Sequence, residues 1–418
     1  MLKVVIDEPY EFVPPVYSDI WPAVLRYYLP RYLRTAYGVH SVESRHVDRL
    51  RASLDARHCI VLAPNHCRMA DPLVLGMTAL EAGCYLYAMA SWHAFKQSWL
   101  QTFMIRRMGA FSVLREGNDR RAVDTAVEIL IARKRPLILF PEGAVTRHND
   151  QIEELMDGPA FVARQAAKRL VKSGDSRKVV IHPVAIRYAF NGDVEAAVRP
   201  VLDKLEQQLT WQPQRNLSLI ERINKVASSL LALKEVEYFG EPGTGDPLDR
   251  AEHLIREMLA KLEAEWNIKD APGGVIARVK RLRTVIVQGM IGSQLAPEER
   301  ERRWRDLAAC YYVQQISHYP RDYLNRQGSL PERFIETIER VVEDFTDKMP
   351  RFEPFHAVVE VGEPIAVSAH RDRSSAADPI TGEIKRQLET MVSSLAAERA
   401  AALGIQHRPA RQAATAIV

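Results

Sequence analysis

The sequence predicts an α/β fold interrupted by a large all-helical insert, and three observations carry that expectation. From about residue 57 to 190, short β-branched runs bounded by Gly, Pro and Asn alternate with longer amphipathic segments. From 191 to 354 no strong strand signal interrupts a succession of helical patterns. One further strand-like run and a helical segment then follow near 356–401.

The first 50 residues read as a helical segment. Within it DIWPAVLRYYLPRYLRTAYG (19–38) combines Trp21, Leu25, Tyr27, Tyr28, Leu29, Tyr32 and Leu33 with Arg26, Arg31 and Arg34. Aromatic and basic residues with no acid after Asp19 suit an interfacial helix pair kinked at Pro30, a candidate membrane-surface anchor. A helix packing its apolar side on the α/β domain gives the same pattern. Residues 51–190 then form the first part of the α/β domain. Its strands are HCIVLAP (58–64), CYLYAMA (84–90), GAFSVLR (109–115), PLILF (136–140) and VVIHPVAIRY (179–188). Helices are expected at 72–82, 94–107, 119–134 and 155–172. In 119–134 the residues Ala122, Val123, Ala126, Val127, Leu130 and Ile131 keep the helical period.

The insert, 191–354, is expected as helices near 200–209, 216–235, 248–265, 274–290, 297–318 and 331–347. Its basic clusters, 278–283 and 300–305, read as solvated helix faces, with contact to anionic lipid or another anionic partner as the functional counterpart. A final strand (356–367) and helix (383–401) fill 355–402, and 403–418 reads as a flexible tail.

Composition narrows the function classes. With 47% hydrophobic and 26% charged residues the 418-residue chain builds a core, which excludes a disordered or fibrous protein. A net charge of +4 is too small for a nucleic-acid protein coated in positive charge, so no nucleic-acid partner is expected. Four cysteines without a C-x-x-C pair point to a reducing compartment. No apolar run reaches the ~18 residues of a membrane-spanning helix, and the N-terminus does not read as a secretory signal. The expectation is a cytoplasmic protein, peripherally attached to membrane.

The chemistry is concentrated in Asn65-His66-Cys67-Arg68-Met69-Ala70-Asp71-Pro72, directly after the first strand of the domain. His66 sits in the loop leaving the strand, and Asp71 is placed to cap the next helix with Pro72 in its first turn. If the loop folds back, the Asp71 carboxylate meets one imidazole nitrogen and leaves the other as a general base. Alone the spacing is a weak signal, since a helix cap beside an unrelated histidine produces the same letters. Other strand ends add to it: Arg115 closes GAFSVLR, and Phe140-Pro141-Glu142-Gly143 is followed by Thr146 and Arg147. In open α/β sheets ligands bind beyond the carboxyl ends of strands, so these features can share one crevice.

NHCRMAD, GAFSVLR, FPEG and IHPVAIRY, in this order, together with the late EVGEPIAV, resemble the blocks of the glycerolipid acyltransferase superfamily. The resemblance covers about 57–190 and 356–400. It implies a mixed sheet flanked by helices, and transfer of an acyl group from a thioester on coenzyme A or acyl carrier protein to a hydroxyl. The acceptor it implies is lysophosphatidate-like, within phospholipid biosynthesis. Glycerol 3-phosphate, another lysolipid, or a catalytically silent lipid-binding protein of the same fold are the alternatives. His66 would be the base and Asp71 its orienter, as in a triad without the serine. Asn65, Arg115, Glu142, Gly143 and Arg147 would bind substrate, Arg115 offering its planar fork to a phosphate. Where many members read P-E-G-T-R-S, this chain has Ala144 and Val145 before Thr146 and Arg147, so its arginine is displaced by two positions. No cofactor beyond the acyl donor is implied, and no metal: His66 and Asp71 lack a third ligand at a recognisable spacing. Cys67 reads as a buried thiol rather than a nucleophile, and His182 as a half-buried strand residue.

Overall fold

The computed structural model describes residues 8–117, 119–269, 273–290, 295–319, 323–324, 329–371 and 378–405. The chain divides into two compact units. One comprises Glu11–Asn191 with the described residues from Phe352 onward, and the other Gly192–Arg351 with the described residues 8–10. In chain order the first unit opens with α1 (Ile20–Leu25), α2 (Leu29–Tyr37), β1 (Val39–Arg45), α3 (Val47–Asp55), β2 (Cys59–Pro64) and α4 (Asp71–Ala82). There follow β3 (Tyr87–Ser91), a 3-10 turn (Trp92–Phe95), α5 (Trp99–Arg107), β4 (Ala110–Val113), α6 (Arg120–Ala132), β5 (Leu137–Ile138), α7 (Gly158–Lys172) and β6 (Val179–Phe190). The second unit contributes α8 (Val194–Gln208), α9 (Leu219–Phe239), α10 (Pro247–Glu265), α11 (Val275–Gln288), α12 (Pro297–Ile316) and α13 (Pro331–Thr346). The chain returns to the first unit with β7 (Phe355–Val361), β8 (Ile365–Val367) and α14 (Pro379–Ala402).

The eight strands make one mixed sheet in the order β1-β7-β6-β2-β5-β3-β4, with β8 beside β6. β6, β2, β5, β3 and β4 run parallel, whereas β7 and β8 are antiparallel to β6. The carboxyl ends of β2, β4, β5 and β6 therefore lie along one edge of the sheet. β6 is buried at all twelve positions, consistent with its near-continuous apolar run. The core between sheet and helices includes Val61, Phe111, Leu137 and Ile181 from the strands. α6 adds Ala126, Val127 and Leu130, and α14 adds Leu388, Val392 and Leu395. Each fully buried Leu or Val contributes roughly 1.5–3 kcal/mol relative to exposure.

Three segments differ from the sequence expectation. β1 lies inside the stretch 1–50 expected to be helical; its VHSVESR is buried at one end only, the mark of an edge strand with little apolar signal. The single strand expected at 356–367 is two, parted at Gly362-Glu363-Pro364. There the Gly362 N–H donates to Pro183 O at 2.7 Å, and a Cβ at Gly362 would lie 2.8 Å from that oxygen. The helix expected at 94–107 is divided by Ser98, whose hydroxyl accepts from Gln101 N and starts α5 afresh. Of the tail expected at 403–418, residues 406–418 lie outside the described residues.

The extended stretch before α1 covers the outer edge of β4: Ser112 N donates to Val13 O at 3.0 Å, and Val13 N to Ser112 Oγ at 2.8 Å. Pro30 sits in the first turn of α2 and so begins a second helix instead of bending one. Leu29 and Leu33 are buried, whereas Ile20, Val24, Tyr27, Tyr28 and Tyr32 are exposed, so one apolar face is packed and another is not. No described helix is long and apolar enough to cross a membrane.

The second unit has helices and no strand among its described residues. Its own core gathers Leu254, Met258, Leu259, Leu282, Ile286, Leu307, Cys310 and Val313 from α10, α11 and α12. The fully buried Arg222 of α9 joins α8 by paired bonds to Glu206 at 2.9 and 2.8 Å and one to Asp203 at 2.6 Å. Parts of the basic clusters serve packing: Arg278 grips Glu263 with two bonds, and Arg303 bonds Glu299 and the Ile286 carbonyl.

Candidate active site

The β2 strand stops at Pro64, but the ladder along β6 does not stop there. The Asn65 side chain takes over, its Oδ1 accepting from Ile186 N at 2.7 Å and its Nδ2 donating to Ile186 O at 3.0 Å. Asn149 repeats the arrangement two residues on, with Tyr188 N and O at 2.9 and 3.0 Å. Two side-chain amides thus imitate a strand while their own backbones turn away, which lets the loop 65–70 leave the sheet in a fixed direction. Asn65, expected at the substrate, spends its amide on this junction and is 2% exposed.

That loop brings together the two residues expected to act as a pair. Asp71 is the first residue of α4 behind an Ala70 N-cap, and no side chain caps this helix. Its carboxylate instead turns back: Oδ2 accepts from His66 Nδ1 at 2.8 Å and from Arg68 N at 2.9 Å. Oδ1 accepts from the Tyr188 hydroxyl at 2.6 Å. Asp71 is completely buried, and the His66 side chain is 16% exposed. The imidazole lies on the Phe140 ring, centroids 3.9 Å apart and planes tilted by 22°. With Nδ1 engaged, Nε2 is the nitrogen left for a reacting proton. The buried Cys67 sulfur lies 3.5 Å from Ile186 O and 3.8 Å from Asp71 Oδ1, both of them acceptors.

The loop after β5 holds the histidine by its peptide. Glu142 Oε2 accepts from His66 N at 2.5 Å, and Thr146 donates to His66 O from both its N–H, at 2.8 Å, and its hydroxyl, at 3.2 Å. Glu142 Oε1 accepts from Glu153 N at 3.1 Å. Burial pushes the Glu142 carboxyl up to about 8, aided by the charges of Glu153 and Asp71 and opposed by the two backbone N–H donors. Expected among the acceptor-binding residues, Glu142 is placed with both oxygens on backbone N–H groups. Gly143 adopts φ +67, and a Cβ there would fall 1.8 Å from Met156 Cε, so glycine is demanded by both backbone and space.

Arg115 follows β4 in a loop fixed by Asp119, which accepts from Leu114 N at 3.0 Å and Ala122 N at 2.9 Å. The strand order sets β4 two places beyond β5, yet the Arg115 guanidinium reaches back to bond the Gly143 carbonyl. Arg147, half-buried with φ +62, directly follows Thr146. Arg115 and the histidine loop thus meet the loop after β5, which itself carries Arg147, at the carboxyl edge of the sheet. His182 stands apart and is fully buried rather than half-buried: Ser53 Oγ lies 2.9 Å from Nε2, and Gly362 O lies 3.0 Å from Nδ1. Burial lowers its pKa.

Tyr188 and Asn149 carry no signal in the sequence. Phe140 opens the FPEG block and Thr146 follows it, but what they touch depends on the folded loop. Tyr188 and Asn149 meet the site only through the register of β6.

A base oriented by a buried carboxylate, with arginines nearby and no protein nucleophile needed, suits direct transfer of an acyl group to a hydroxyl. Residues 41–187 match the family model described as Acyltransferase. No curated protein matches the chain. Residues 41–187 are an acyltransferase domain of the glycerolipid acyltransferase family.

Proposed function

We propose that the enzyme moves a fatty acyl group from an acyl thioester, on coenzyme A or acyl carrier protein, to the hydroxyl of a lysophosphatidate-like acceptor in phospholipid biosynthesis. The observation that carries this reading is the His66 Nδ1–Asp71 Oδ2 bond of 2.8 Å, which commits one nitrogen and leaves Nε2 as base. Nε2 takes the acceptor's hydroxyl proton as that oxygen attacks the thioester carbonyl carbon. The tetrahedral intermediate collapses, the C–S bond breaks, and the departing thiolate takes the proton back from Nε2. The products are an ester and a free thiol, and the histidine returns to its starting state. Asp71 holds the ring and offsets the imidazolium charge in between. Arg115 and Arg147 are assigned to the acceptor phosphate, because guanidinium forks pair with phosphate oxygens.

The reading includes work at a membrane surface in the cytoplasm. It is supported by the exposed Ile20, Val24, Tyr27, Tyr28 and Tyr32, set among the exposed Arg26, Arg31 and Arg34.

Thiol release measured against a panel of lysophosphatidate, glycerol 3-phosphate and phosphate-free lysolipids, with both donor types, tests the proposal. Release should require an acceptor, be greatest with lysophosphatidate, and fall about 10²–10⁴-fold in His66→Ala. Undiminished turnover in purified His66→Ala would remove the mechanism. Lysolipid binding without thiol release for any acceptor would favour the catalytically silent reading.

A further inference from the structure

We propose that Tyr188 is a positioning residue of the acyl-transfer site, setting through Asp71 how strongly His66 holds a proton. The inference rests on the acyl-transfer reading and adds a residue lying one position beyond the stretch matched to the family.

The Tyr188 hydroxyl lies 2.6 Å from Asp71 Oδ1, while His66 and the Arg68 N–H share Oδ2. Tyr188 and Asp71 are both completely buried, so no bulk water competes for Oδ1. The groups facing this carboxylate are His66, the Cys67 thiol, Arg68, Tyr188 and, further off, Glu142. Burial and the neighbouring Asp71 charge raise the phenol well above its ordinary range, so the hydroxyl stays protonated and acts as donor.

Position in the sheet makes the bond rigid. Tyr188 lies on β6, its backbone N–H and carbonyl are held by Asn149, and its ring meets Phe355 of β7 edge-on at 6.3 Å. The Arg68 guanidinium lies 4.2 Å from the Phe355 centroid and 5.5 Å from that of Tyr188, closing the other side. A carboxylate held by donors on both oxygens cannot swing away from the imidazole. The phenol also draws charge onto Oδ1. That moderates the pull on the His66 proton, so the imidazolium can return it to the departing thiolate.

The consequence is directional. Removing the donor leaves more charge facing His66, and the imidazole then holds its proton more tightly. Tyr188→Phe keeps the ring and its contact with Phe355. It should lower kcat about tenfold with little change in KM, and move the acid limb of the kcat/KM profile to higher pH. In an Asp71→Asn background the same substitution should cost nothing further, because the charge it acts upon has gone. Site-specific 3,5-difluorotyrosine at 188 retains ring and hydroxyl with a stronger donor, and should move the acid limb to lower pH. A wild-type acid limb in both 188 variants overturns the proposal. So does an equal further loss when Tyr188→Phe is added to Asp71→Asn, which is the mark of a packing role alone. If His66→Ala keeps full turnover, the acyl-transfer reading itself fails, an outcome distinct from either of these.

Discussion

The Glu142 carboxyl group takes the backbone N–H of His66 at 2.5 Å, so the loop after β5 governs the histidine through its peptide as well as through the Phe140 ring stacked on its imidazole. Glu142 and Gly143 sit next to each other with different duties. The glutamate fixes where His66 begins, and the glycine lets the chain turn so that its carbonyl receives Arg115. Loss of either should therefore disturb catalysis without removing a reacting group.

Glu142 also couples stability to pH. Its carboxyl is raised by burial to about 8 against an ordinary 4.5. The stability this group contributes is complete below about pH 4.5 and is lost as pH rises through about 8, because ionising a buried acid costs free energy. Urea unfolding of wild type and Glu142→Gln from pH 5 to 9 isolates the effect in their difference. The wild type should lose on the order of a few kcal/mol relative to the variant across that range. Where the wild-type group is ionised, above about pH 8, Glu142→Gln should also turn over more slowly, since an amide can accept from only one of the two backbone N–H groups at a time without facing the other with its NH₂.

Gly143→Ala should separate two penalties. The backbone requires φ +67, and the new methyl would occupy the place of Met156 Cε. The left-handed conformation costs a non-glycine residue about 1–3 kcal/mol, and the overlap adds to it. Thermal unfolding should show a lowered Tm. Adding Met156→Ala to Gly143→Ala should recover the steric share and leave the backbone share. Full recovery by the double variant would mean that the conformation carries no strain.

How far the fold could be read in advance depended on burial. β2 and β6 are buried along their whole length, so their Val, Ile and Leu form continuous runs that announce a strand. β1 is an edge strand with one buried residue, and VHSVESR gives no such run. The break at Gly362 follows from its approach to Pro183 O, a contact between segments some 180 residues apart in sequence. The site divides in the same way. His66 and Asp71 are five residues apart, and a returning loop joins them, so their partnership could be argued from spacing. Tyr188 lies 117 residues from Asp71 and reaches it only because β6 pairs with β2 in one register. The backbone partners of Asn65 and Glu142 were likewise invisible, since a motif names a side chain and not the peptide it meets.

His182 offers a prediction of opposite sign to Glu142. Burial lowers its pKa below the ordinary 6.5, and its two nitrogens lie against Ser53 and the Gly362 carbonyl. The stability it contributes is present above about pH 6.5 and is lost as pH falls through the lowered value, because the buried ring must then carry charge. Unfolding free energies of wild type and His182→Gln should converge as pH falls from 7 to 5, the wild type losing its advantage. A constant difference over that range would show that the ring titrates alike in the folded and unfolded states, so that burial does not lower its pKa.

The exposed apolar face of the first unit leads to a prediction about lipid. α1 touches α5 through Trp21 and Phe103, whose rings meet edge-on at 5.2 Å, with the Arg107 guanidinium against both. Trp99, one turn before Phe103, is 79% exposed, and Leu100 beside it is 53% exposed. The surface of Ile20, Val24, Tyr27 and Tyr28 thus has a neighbour in α5 that the N-terminal sequence alone does not announce. Burying one such side chain in the acyl boundary contributes roughly 1–3 kcal/mol, so each pair of substitutions should weaken vesicle binding at least about tenfold. Flotation with phosphatidylglycerol-containing vesicles should lose Trp99→Ala/Leu100→Ala and Tyr27→Ser/Tyr28→Ser alike. Thiol release with a short-chain, water-soluble acceptor should survive in both. High salt should weaken the arginine contribution of Arg26, Arg31 and Arg34 without abolishing flotation, because apolar insertion is not screened. If the α5 pair floats as the wild type does while the tyrosine pair does not, α1 and α2 meet the lipid alone. If both pairs float unchanged, this face does not carry the protein to the membrane.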